Sequence, residues 1–175
     1  MKKFLFFLFV FYTSFINCHH QHESEEKKLF IEHALYELYE IYETVQEDCL
    51  EKKFSADLNF GVLFTDNFDN DLKNIEKNFS PSVIDYLKNH KDEKNLIVID
   101  DKLDDDSYHK MVIVKIPQYN CLGIMVIEAT LTGDIKERDS GNCPFIYAIE
   151  EMFNQIDFKE LVNSNYLVYN FKYSQ

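Results

Sequence analysis

The chain has 175 residues, 31 of them acidic and 18 basic, for a formal charge of −13. A field of that sign repels phosphate backbones and anionic headgroups, which excludes nucleic acid and charge-driven lipid-surface binding as functions. Only four glycines and three prolines are present, with no linker-like stretch. A single domain over residues 29–175 is expected, behind a leader (1–17) and a polar tether (18–28).

Lys2 and Lys3 precede an apolar run of nine residues, FLFFLFVFY, too short to span a bilayer comfortably as a stable helix. That is the pattern of an export signal. The following TSFINC (13–18) resembles the lipobox of bacterial lipoproteins, with Phe15 and Asn17 where the stricter pattern has Leu and Gly or Ala. The resemblance implies acylation of Cys18, attachment to the membrane through that lipid, and a periplasmic or outer-membrane location. The alternative is ordinary cleavage after Cys18, which would give a secreted protein. Either route leads to an oxidising compartment, where disulfides persist. Cys49, Cys121 and Cys143 then remain, enough for one bridge at most. Cys121 and Cys143, both in turn segments flanking a hairpin, are the expected pair, and the alternative is that all three stay reduced.

His19, His20 and His22 lie in the tether; three histidines on a mobile segment bind metal adventitiously more often than functionally, so no metal site is assigned. From Leu29 the apolar residues Ile31, Ala34, Leu35, Leu38, Ile41, Tyr42, Val45 and Cys49 recur three and four apart, which predicts an amphipathic helix over 29–50. Leu58 to Phe64 reads as either strand or short buried helix, with helix preferred. Asp66, Asp69 and Asp71 lack the glycine and terminal glutamate of a calcium loop and are expected to cap a helix over 71–79, with Leu72, Ile75 and Phe79 inward. Ser80-Pro81 is a helix start, with Val83, Ile84 and Leu87 as the buried face.

A strand is predicted at 96–99, then a solvated acidic loop, DDKLDDDS. Residues 110–132 hold two β-branched runs around a turn with Pro117, Asn120 and Gly123, which predicts a β-hairpin. Runs so continuous predict strands covered on both faces, with this hairpin at the core. Gly133-Asp134 is expected to turn into a further strand at 135–139. A helix should run from SGNCP (140–144) to Ile156, a short one over 158–162, and a closing strand over 166–173, with Leu167, Tyr169, Phe171 and Tyr173 on one face.

Chemistry is sparsely marked. Cys143 precedes Pro144 at a helix start, where amide dipoles lower a thiol pKa. Cys143-Pro144-Phe145-Ile146 resembles the Cys-Pro-x-Cys site of thioredoxin-fold oxidoreductases, with Ile146 in the second cysteine's place. That resemblance implies thiol redox chemistry. Thr132-Gly133-Asp134-Ile135-Lys136, Ser140-Gly141, Pro144, Ala148-Ile149 and Asn170-Phe171 together resemble the C-terminal domain of TonB-type proteins, which implies addition of a strand to a protein partner. No GxSxG, HExxH or glycine-rich phosphate loop is present. His33, His90 and His109 are scattered and expected at the surface, His109 being placed beside a strand where an acid could pair with it.

The expectation is an α+β fold with an antiparallel sheet of four to five strands, on which a long N-terminal helix and a second helix pack. The expected function is non-catalytic binding of a partner or small ligand by an exported, lipid-anchored domain, without a cofactor. The alternatives are a TonB-like strand-adding module and a thiol enzyme using Cys143.

Overall fold

The computed structural model describes residues 21–42, 53–91, 95–104, 107–117, 121–135 and 141–174. The leader, Cys18, Cys49 and most of the expected strand at 135–139 lie outside the described residues, and Ile135 itself is not in a strand.

The fold is α+β, around a five-stranded antiparallel sheet. The first helix, α1 (Gln21–Tyr42), buries Lys27, Phe30, Ile31, Ala34 and Leu38 along one stripe. It begins inside the stretch expected as a tether. Residues 21–28 contain neither Gly nor Pro, and Lys28 pairs with Glu32 at 3.7 Å one turn on, so the polar sequence supports a helix.

Strand β1 (Phe54–Thr65) is followed by α2 (Phe68–Asp71), two 3-10 turns (Leu72–Asn74 and Glu76–Asn78) and α3 (Pro81–Asn89). The sequence favours a helix over Leu58 to Phe64, but the structure places these residues in strand β1. Phe54, Ala56, Leu58, Phe60, Val62 and Phe64 are all buried, and the residues between them face the other side of the sheet. A period of two fits only a strand. Leu72, Ile75 and Phe79 are buried as expected, although over 3-10 turns rather than one helix. Ser80 caps α3, its Oγ accepting from the Val83 amide at 3.5 Å, with Pro81 next and Val83, Ile84 and Leu87 buried.

The acidic stretch expected as a loop is largely strand: β2 (Asn95–Asp104) turns into β3 (Ser107–Pro117) with a register shift between Lys102 and Asp104. The hairpin continues from β3 into β4 (Leu122–Gly133), pairing Pro117 with Leu122 and Ser107 with Thr132. Helices α4 (Asn142–Phe153) and α5 (Phe158–Asn163) lead to β5 (Tyr166–Ser174). The sheet order is β2-β3-β4-β1-β5, so β4 of the expected hairpin is the central strand and β1 separates it from β5.

Both faces of the central strands are covered, as their unbroken apolar runs require. Val112, Val114, Met125, Ile127, Ala129 and Leu131 join Phe30, Phe60, Phe145, Met152 and Phe171 in one core with α1, α4 and α5. Met111, Ile113, Ile124, Val126 and Leu63 form a second core with Leu72, Ile75, Val83 and Leu87. Each fully buried Leu, Ile or Phe contributes roughly 1.5–3 kcal/mol. Two glycines admit aromatic rings to the sheet surface: a Cβ on Gly61 would lie 2.7 Å from the Phe79 ring, and one on Gly123 2.6 Å from the Phe30 ring.

Among the described residues the second core covers only one end of its face. Beyond Leu63 on β1 and Val126 on β4, the same face continues through Gly61, Asn59, Asp57 and Ser55, and through Glu128, Thr130 and Thr132. No helix of the described residues is long and apolar enough to cross a membrane.

Candidate functional site

The polar end of that face forms an open groove of about 540 Å³, lined by Asp57, Asn59, Ser80, His109, Glu128, Thr130, Asn170 and Lys172, with Leu58 and Phe171 beside them. Strand alternation assembles it. Asn59 pairs in register with both Glu128 and Asn170, and Asp57 with Thr130 and Lys172. His109 lies opposite Thr130, diagonal to Glu128.

Glu128 anchors the floor. Its side chain is 7% exposed; Oε1 stands 2.9 Å from His109 Nε2, and Oε2 accepts from the Ser80 amide at 3.0 Å. Burial alone would push this carboxyl up, but hydrogen bonding from Ser80 and His109, and the His109 charge, outweigh burial and hold it below its ordinary value. An ionised carboxylate only accepts, so His109 Nε2 carries the proton and Nδ1 is the ring's second polar atom. Ser80 is the N-cap of α3, so the carboxylate also meets the positive end of that helix. One buried acid thus ties the covering helix to the sheet and orients an imidazole.

The rest of the groove is balanced in charge. Lys172 pairs with Asp57 at 3.3 Å, both largely exposed. Asn170 Nδ2 donates to Asn59 Oδ1 at 2.6 Å, leaving Asn59 Nδ2 and Asn170 Oδ1 for further bonds. Ser80 Oγ lies 2.7 Å from Ser82 Oγ besides capping α3, so it serves the helix start and is not set up as a nucleophile.

The residues singled out in the sequence are dispersed. His33 pairs with Glu37 along α1 at 3.1 Å, and His90 stacks on Tyr86 with ring centroids 4.1 Å apart. Asp71 accepts from Thr65 Oγ1 at 2.7 Å, and Asp69 pairs with Lys91 at 3.5 Å. Among the described residues no three His, Cys, Asp or Glu side chains converge as metal ligands. His19 and His20 lie outside the described residues.

The expected bridge between Cys121 and Cys143 does not form. Cys143 is disulfide-bonded, whereas Cys121 retains its thiol, so the partner of Cys143 lies outside the described residues. The reason is the geometry of the hairpin. Cys121 immediately precedes Leu122, where β4 begins; Cys143 opens α4 just after Gly141, which packs against Leu131, Lys110 and Tyr108 at the other end. Leu122 and Leu131 are about 30 Å apart along an extended strand, far beyond the reach of a disulfide. Cys143 is also buried at 8% exposure, and its sulfur is oxidised rather than a thiolate.

Glu128 was not distinguished in the sequence, being one acid among 31. The signal was its context, a lone charge inside IMVIEATL. Lys110 and Lys115 lie within the apolar run of β3, and both are fully buried. Lys110 Nζ donates to Asn142 Oδ1 at 2.7 Å at the start of α4, and Lys115 Nζ donates to the carbonyl of His90, the C-cap of α3. A cation at a helix C-terminus is favourable, so Lys115 and Glu128 secure opposite ends of one helix. No protein-family model matches the chain, and no curated protein matches it significantly.

Proposed function

We propose that this protein is an exported binding domain, tethered to the membrane through lipidated Cys18, and that its sheet groove takes a neutral ligand bearing hydroxyl and amide groups, of the N-acetylated saccharide class. The observation that carries the reading is the polar half of a sheet face, uncovered among the described residues, whose other half is sealed by α3 and its preceding turns. Its charges are matched internally, Asp57 by Lys172 and Glu128 by His109 and the Ser80 amide. Among the described residues the polar atoms left over are His109 Nδ1 and the carboxamide and hydroxyl groups of Asn59, Asn170 and Thr130, which suit a neutral polar ligand better than an ion. Commitment of both Glu128 oxygens and of Ser80 Oγ to structural bonds favours binding over catalysis.

Calorimetric titration with di-N-acetylchitobiose tests it. Saturable binding to the wild type is expected, weakened about tenfold in Asn59→Leu, the equivalent of one lost hydrogen bond of ~1.4 kcal/mol. No heat of binding, or equal affinity in the two proteins, would refute the assignment. The anchor has its own test in the intact mass of the membrane-extracted protein: a diacyl or triacyl adduct on an N-terminal Cys18 is expected, and an unmodified chain starting at His19 would remove it.

A further inference from the structure

The two edges of the sheet are unlike. The β2 edge carries Asp100, Asp101, Lys102 and Asp104 in ten residues and a register shift, which are common devices against strand addition. The β5 edge, YLVYNFKYS, has no acid, no proline and no bulge, in a chain of charge −13. Among the described residues nothing pairs with its outer side.

The phase of its backbone follows from one bond. The Phe64 amide donates to the Asn165 carbonyl at 2.7 Å, which makes that pair hydrogen-bonded in the antiparallel ladder. Continuing the register, Leu167, Tyr169, Phe171 and Tyr173 turn their backbone groups toward β1. Tyr166, Val168, Asn170, Lys172 and Ser174 therefore turn theirs outward.

We propose that β5 pairs antiparallel with β5 of a second copy across a two-fold axis at Asn170, giving one continuous ten-stranded sheet. The strand is self-complementary in that register. Asn170 meets itself, Val168 meets Lys172 and Tyr166 meets Ser174, all of them outward-bonding residues, so every new pair is a hydrogen-bonded one. On the α-helical face, Tyr169 falls opposite Phe171 and Leu167 opposite Tyr173. Those are aromatic and aliphatic contacts at the closer, non-hydrogen-bonded positions, where such pairs stabilise a sheet most. The one charged side chain of the strand, Lys172, faces Val168 and not its own copy. The arrangement is isologous and closed, so it stops at two chains. It also brings two polar grooves together, because Asn170 and Lys172 line each of them. The pairing stands independently of what the groove binds.

Sedimentation equilibrium of the purified protein tests it, together with disulfide trapping. The wild type is expected to run at twice the mass of one chain. Val168→Pro removes an outward N–H that β1 does not use, so it should yield a folded monomer. Asn170→Cys sits on the axis with Cα atoms about 5.5 Å apart, within disulfide reach, and should cross-link on mild oxidation. Lys172→Cys is displaced two residues from the axis in each copy and should not cross-link with itself. A wild type that stays monomeric at high concentration would overturn the proposal. So would a folded Val168→Pro dimer, or Asn170→Cys cross-linking no faster than Lys172→Cys. If Val168→Pro does not fold, the cysteine pair decides.

Discussion

His109 Nε2 stands 2.9 Å from Glu128 Oε1, across two neighbouring strands and under the start of α3. The contact joins the sheet, the covering helix and the groove at one buried carboxylate, because the same Glu128 side chain accepts from the Ser80 amide through its other oxygen.

Glu128→Gln should therefore destabilise the fold at neutral pH by about 1.5–3 kcal/mol, the range for a hydrogen bond to a buried charge. The pH dependence has a definite sign. A carboxyl whose folded pKa lies below its unfolded value stabilises the fold above the unfolded pKa, and that contribution is lost as pH falls through the folded one. Urea melts of wild type and Glu128→Gln should differ most at pH 6–7 and converge as pH drops below about 4.3, the free glutamate value. A gap independent of pH would show that Gln loses packing and not charge.

Substitution at the exposed rim should separate binding from stability. Asp57 and Lys172 are 65% and 84% exposed, so their ion pair is screened by water. Lys172→Ala is expected to move the folding free energy by less than about 0.5 kcal/mol in chemical denaturation.

Cys143→Ser should cost about 2–4 kcal/mol by loss of a native disulfide, whereas Cys121→Ser should be close to neutral in the same melts. If Cys18 is acylated, as proposed above, the remaining cysteine for Cys143 is Cys49, and non-reducing peptide mapping should recover a Cys49–Cys143 link. Native alkylation should label Cys121.

Gly61→Ala should destabilise by about 1–3 kcal/mol. The new methyl would lie 2.7 Å from the Phe79 ring, and that ring is itself buried in the second core. Pairing the change with Phe79→Leu should recover part of the loss, which a double-mutant cycle would measure.

The sequence made α3, α4 and the central hairpin legible because each rests on a local pattern. Ser80-Pro81 carries its own start signal, and the β-branched runs of β3 and β4 are apolar on both faces. β1 was obscured by the feature that gives the groove its character. Its inward residues alternate cleanly from Phe54 to Phe64, but Ser55, Asp57 and Asn59 between them are poor strand formers. They are tolerated because they lie on the polar end of the face and not in a core: Asp57 and Asn59 line the groove, and the Ser55 hydroxyl bonds Thr132. The same cause concealed Glu128, whose meaning depends on Ser80 and His109, residues 48 and 19 positions away in the chain. The cysteine pairing failed for a related reason. Proximity to one hairpin says nothing about which of its two ends a residue occupies.

An amide-resolved NMR titration of the protein with di-N-acetylchitobiose reads directly whether the polar half of the sheet, open among the described residues, binds the ligand. Shifts are expected to concentrate on the side-chain amides of Asn59 and Asn170 and the backbone of His109 and Thr130, with Leu87 and Met152 unmoved. Shifts confined to other surfaces, or none at saturating sugar, would contradict that assignment.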